Sequence, residues 1–194
     1  MADTKISAMT NASPLDGTEF VPLVQSGVNV KTTVADLNAY AHAYGAFSDS
    51  TDQTGSTTAG TAMTFNTTDI ADGVTLSSGS RLTVPTDGIY DLQFSAQFKN
   101  TDNAQHIVTV WFKIDGVDVA NSATQITVPA RKSIGVNGFA VAAWNIFLDM
   151  NAGQYVEIFW LPESLTVNME HLPASVSPAY PAIPSVIATV QQVA

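Results

Sequence analysis

The residues that could carry chemistry in this chain are few. His42, His106 and His171 sit on separate segments, and none has a second ligand three or four positions further on. That spacing would be needed for a zinc pair on one helix face. Asp69-Ile70-Ala71-Asp72-Gly73 and Asp115-Gly116-Val117-Asp118 each set two carboxylates beside a glycine. Neither has the spaced oxygen ligands and closing glutamate of a calcium loop, so both read as turn acids. Glu157 lies between Tyr155 and Phe159, and a second carboxylate for glycoside cleavage would have to come from a distant segment. There is no nucleophile elbow, phosphate loop or dinucleotide loop. The reading is a protein with no catalytic residues, no metal and no cofactor. Trp111, Trp144 and Trp160 could stack on sugar rings, but all three fall inside strand patterns, where a core or interface role is the plainer one. Tyr180, between Pro178 and Pro181, is the candidate ligand contact; a packed Pro-Tyr-Pro loop is its structural alternative.

The elements holding these residues are short and mostly β. Hydrophobic residues make up 45% of the 194 positions and charged ones only 12%. That supply fills a core, while sparse charge is expected of a surface covered by other subunits. The net charge of -10 opposes binding to nucleic acid or to anionic membranes. No cysteine is present, which excludes disulfides and thiolate chemistry. No secretion signal is visible at the N-terminus, and the longest apolar run, Phe139 to Leu148, is too short to span a bilayer. Synthesis in a cytoplasm is expected, with any exit by another route, which cell lysis would serve.

Residues 1–45 read as one module. Phe20 to Val24 and Val28 to Thr32 form a hairpin across Ser26-Gly27. Thr33-Val34-Ala35-Asp36 has capping-box spacing and would start a helix from Val34 to about Ala43, stopped by Gly45. So small a module buries too little to fold strongly alone and is expected to dock on something else. Its docking residues would be Ile6, Phe20, Val21, Leu23, Val34, Leu37 and Tyr40. Residues 47–60 read as a linker or a long first loop.

Residues 46–194 read as a β-domain. In Gly88 to Lys99 the apolar residues alternate strictly with polar ones, the mark of a half-buried antiparallel strand. Further strands are expected at Met63 to Asn66, Arg81 to Val84, His106 to Asp115, Ala123 to Val128, Phe139 to Met150, Tyr155 to Leu161, Leu165 to His171 and Ile183 to Gln192. Many short strands with turns between them predict a sandwich or jelly roll. Phe139 to Met150 and His106 to Asp115 are apolar on both faces, yet a two-sheet fold covers only one face of each strand. Either other subunits or a segment of the same chain must cover the second. The oligomeric alternative puts Ile107, Trp111, Phe139, Val141, Phe147, Tyr155 and Phe159 in a trimer interface. It predicts that Trp111→Asp disrupts assembly more than folding.

Two stretches resemble known proteins. Lys5-Ile6-Ser7, Pro14-Leu15-Asp16-Gly17-Thr18-Glu19-Phe20-Val21-Pro22-Leu23-Val24-Gln25 and Lys31-Thr32-Thr33-Val34-Ala35-Asp36-Leu37 resemble the opening of phage fibre and virion proteins. Gly88 to Phe98, Val110 to Val119 and Ala152 to Trp160 resemble a jelly-roll module of structural proteins from marine and cyanobacterial phages. The two Gly-x-Tyr strands are also similar to the trimeric heads of complement and tumour-necrosis-factor-type proteins. The resemblance implies an antiparallel jelly-roll sandwich behind a hairpin-plus-helix docking module. It implies a homotrimer on a virion surface, with a major capsid protein or another virion protein as partner. A capsid decoration (cement) protein or short head fibre is the first expectation, because no shaft separates the two parts. A tail fibre or tail-tip protein recognising a host surface glycan is the second.

Overall fold

The computed structural model describes residue 16 and residues 18–34 and 43–194. The chain divides into two compact units, Met1–His42 and Ala43–Ala194. The division falls three residues before the boundary expected from sequence.

In the first unit, β1 (Phe20–Gln25) pairs antiparallel with β2 (Val28–Thr33). Ser26 and Gly27 join them with positive φ, 52° and 79°. Two such residues twist a two-residue turn to match its strands, as Ser26-Gly27 foretold. Val34 N–H donates to Glu19 O at 2.8 Å and closes the open end. The helix expected beyond Val34 lies outside the described residues, apart from its ends.

The second unit is mainly β and has two seven-stranded sheets. One runs β13 (Gly138–Met150), β9 (Gly88–Asn100), β18 (Val186–Gln192), β3 (Tyr44–Asp49), β6 (Thr67–Asp72), with β15 (Val167–Met169) and β4 (Gln53–Thr54) continuing beside β9. The other runs β12 (Thr124–Val128), β10 (His106–Ile114), β14 (Tyr155–Pro162), β8 (Arg81–Thr83), β7 (Thr75–Ser77). Short β11 (Val117–Asp118) and β5 (Thr61–Ala62) extend β10 and β14. A small separate hairpin joins β16 (Ser175–Val176) to β17 (Ala179–Tyr180).

The two large sheets share one core. Tyr90, Leu92, Phe94, Ala96 and Phe98 of β9 are all buried, as their alternation required. Phe94 meets Phe112 of β10 edge to face, ring centroids 5.8 Å apart, and Phe98 meets Trp160 of β14 at 5.5 Å. Such aromatic pairs add to the burial of their area. Trp144 of β13 packs against Phe94 at 4.6 Å.

Several expectations need correction. Residues 47–60 are not a linker, since β3 and β4 lie there. Gly45 is not a helix stop but a strand residue against the Phe47 ring, where a Cβ would come within 2.6 Å. Met63 to Asn66 is not a strand, although Met63 and Phe65 are core residues. β6 was not expected.

A buried carboxylate pins this corner. Asp49 is 2% exposed. Its Oδ1 accepts the Thr51 amide at 2.8 Å, the Thr51 hydroxyl and the Asn66 amide at 3.1 Å; its Oδ2 accepts the Thr64 hydroxyl at 3.0 Å. Asp49→Ala is expected to cost about 3 kcal/mol in a urea titration, because several buried donors lose their acceptor together.

Candidate interaction surfaces

Among the described residues no group of three or more His, Asp or Glu side chains gathers to hold a metal ion. His42 lies outside the described residues. The His171 amide donates to Asp52 at 2.8 Å. His106 Nε2 lies 2.8 Å from Asp102 Oδ2, a partner four residues before it that a search only forward along the chain passes over. Asp115 accepts from Gln154 and from the Tyr155 amide. Its φ of 49°, with 80° at Gly116, makes the β10–β11 turn. Asp118 accepts the Trp111 indole at 2.7 Å and pairs with Lys113 at 3.3 Å. Glu157 accepts the Ser80 hydroxyl at 2.6 Å and lies 3.7 Å from Arg81. These acids are engaged in local bonds.

The surfaces that remain are apolar. The two strands read as apolar on both faces belong to different sheets, and their outward rows meet different fates. On β10 and β14, Trp111 faces Phe159 across the ladder with ring centroids 5.7 Å apart. Lys113 lies over the Phe159 ring at 4.6 Å, and Arg81 over the Tyr155 ring at 4.3 Å. Gly60 rests on the indole: a Cβ there would stand 2.4 Å from Trp111 and 3.1 Å from Phe159. β5 holds this segment by pairing with β14 at Phe159 and Trp160. Trp111, Tyr155 and Phe159 are therefore half-buried within their own chain, and Ile107 is half-buried as well.

This cover revises one expectation. Trp111 lies in contact with its own chain, so Trp111→Asp is now expected to destabilise folding as well as any assembly. Gly60→Val tests the packing. It should cost about 1–3 kcal/mol through overpacking, read as a lower urea midpoint. Asp118 adds a pH signature. The Trp111 indole N–H first, then Lys113, holds its carboxyl below the ordinary 3.8. A lowered folded pKa makes a contribution that is present above the unfolded value and lost as pH falls through the folded one. Trp111 fluorescence, taken as the difference from a Trp111→Phe variant, should therefore change as the pH falls with a midpoint below 3.8.

β13 is different. Ala142, Leu148 and Met150 point inward and are buried, while Phe139, Val141 and Phe147 point outward and are 56%, 56% and 62% exposed. Their ladder neighbours on β9 are Lys99, Gln97 and Asp91, so the stripe runs along the rim of a polar sheet face. In the first unit Phe20, Val24 and Val28 are also exposed, while Val21, Leu23 and Val34 are half-buried. Lys31 sits 3.8 Å over the Phe20 ring. Ile6, Leu37 and Tyr40 lie outside the described residues.

Two features escaped the sequence reading. A groove of about 260 Å³ lies on the outer face of the β9–β18–β3 sheet, lined by Tyr44, Ile70, Asp91, Gln93 and Gln191. Its residues come from four strands, two of them not foreseen. The β16–β17 hairpin is the second, and Tyr180 on it is 44% exposed.

No protein-family model matches the chain, and no curated protein matches it.

Proposed function

We infer that the chain is a structural component of a tailed-phage virion, a capsid decoration protein or short head fibre. In this reading the second unit is a homotrimeric jelly roll and the first attaches it to the major capsid protein or another virion protein. The observation that carries it is the outward row of β13. Three large apolar side chains in line, in a protein with so little charge, are the mark of a surface made to be covered. Residues of the first unit offer a second such surface at Phe20 and Val24.

The strand order supports the jelly roll. Take β3, β8, β9, β10, β12, β13, β14 and β18 as its eight strands. The first, third, sixth and eighth share one sheet, and the other four share the second. That interleaving is what two Greek keys wrapped into a double-sheet jelly roll require. The resemblance of the N-terminal segment to phage fibre openings supports the virion part of the reading.

Immunogold labelling of intact particles tests the location. Label over the head is expected. Label confined to the tail would overturn the head assignment, and absence from purified particles would overturn the virion reading.

The alternative is a tail-tip protein that binds a host glycan. The groove at Tyr44 favours it, since an aromatic ring beside Asp91, Gln93 and Gln191 suits a sugar. A glycan array with purified protein decides: saturable binding abolished by Tyr44→Ala would support it.

A further inference from the structure

The segment between β15 and β18 is unlike the rest of the chain. From Leu172 to Ala194 there is no Asp, Glu, Lys or Arg. Leu172 and Ile183 exchange two backbone hydrogen bonds, 2.9 and 2.8 Å, that close the base of an arm. Within the arm Ser175 pairs with Tyr180 and Val176 with Ala179. Val176 is 94% exposed and Tyr180 44%. A two-stranded hairpin is marginal on its own in water, and this one turns apolar side chains outward.

The outward row of β13 lies in a second charge-free run, Ser133 to Leu148. Ile134 and Val136, just before the strand, are exposed as well. The base of the arm and the Phe139 end of the stripe lie at the same end of one sheet. The arm follows β15, which pairs with Phe98 to Asn100 of β9; on the other side of β9, Lys99 and Asn100 pair with Phe139 and Gly138. Lys99, between them, is bonded to Glu170 at 2.5 Å, so its charge is already answered within the chain.

We propose that the arm, residues 172–183, lies on the outward face of β13 of a second copy of this chain. The proposal rests on the self-assembly part of the reading above and names the contact that makes it. Charge favours a second copy as the occupant. At a net charge of -10 two copies repel, and the arm brings no charge of its own to the contact. Symmetry points the same way. Arm on stripe joins two different surfaces, and such a heterologous contact closes rings, whereas stripe on stripe stops at a twofold pair. The prolines at 173, 178 and 181 limit the freedom the arm would lose on docking.

The chain has no cysteine, so introduced thiols are the only ones present. Val176→Cys is combined in turn with Phe139→Cys, Val141→Cys or Phe147→Cys in the full chain and oxidised mildly. At least one pair is expected to give covalent species up to three chains on a non-reducing gel. Val176→Cys with Val117→Cys, on the opposite sheet, should give none. A wild-type assembly with no arm-to-β13 cross-link from any pair overturns the arm contact and leaves the trimer reading standing. A bridge formed within one chain, seen as a faster monomer band, overturns it as well. A wild-type chain that never associates sinks both. Replacing residues 173–182 by Gly-Gly is expected to keep the near-UV circular dichroism of the core and weaken association at least a hundredfold; an unchanged association constant would count against the proposal.

Discussion

Val141→Asp combined with Phe147→Lys is expected to leave the second unit folded and to prevent it from assembling. Both side chains stand more than half exposed on β13, so little core contact is lost. The partner of Val141 across the ladder is Gln97 and that of Phe147 is Asp91, so neither new charge meets a like one inside the chain. Surface changes of this kind shift intrinsic stability by about 0.5 kcal/mol or less. At an interface the balance reverses. An aromatic anchor in a contact contributes about 2 kcal/mol or more, and a charge buried without a partner costs about 3–5 kcal/mol. Association should fall by about a thousandfold or more. Sedimentation of the variant beside the wild-type chain reads association, and near-UV circular dichroism reads the fold. An unfolded variant would mean that β13 is part of the core rather than of a contact. An unchanged association constant would remove the stripe from the interface.

Trp160 carries the other large effect. It is fully buried at the centre of β14, against Phe98 of the facing sheet. Trp160→Ala opens a cavity between the sheets and is expected to cost about 3–5 kcal/mol. That is a large share of the roughly 5–15 kcal/mol that holds a domain together. Trp160→Phe is expected to cost less than half as much. The indole Nε1 is buried without a hydrogen-bond partner among the described residues, so the phenyl ring gives up volume but also removes an unpaired donor. Urea titrations of the two variants at one protein concentration compare them directly. Equal losses would mean that the indole N–H is bonded after all, through an ordered water.

The parts of the fold legible in the sequence were those where one strand carries its own pattern. β9 alternates over its whole length, and Ser26-Gly27 and Asp115-Gly116 sit where positive φ is needed. β3 and β6 were not legible because their residues are small or polar. Tyr44–Asp49 buries Gly45, Phe47 and Asp49, a set with one large apolar member, and is a strand because β18 and β6 flank it. The apolar rows of β10 and β13 look alike as sequence. What separates them is Gly60, which lies in a Ser-, Thr- and Gly-rich stretch with no pattern of its own and yet covers Trp111. Which face remained uncovered could therefore be read only after folding. The arm was visible as a Pro-Tyr-Pro loop, but its closed base depends on a bridge between Leu172 and Ile183 that no local signal marks.

Self-association of the chain is the property on which both surfaces depend. Sedimentation equilibrium of the 194-residue chain at micromolar concentration measures it with no assumption about shape. The predicted result is a single species of three times the 20.5 kDa chain mass. A single-chain mass that persists as the concentration is raised would contradict the central claim, because the stripe of β13 would then be a surface with nothing to cover it.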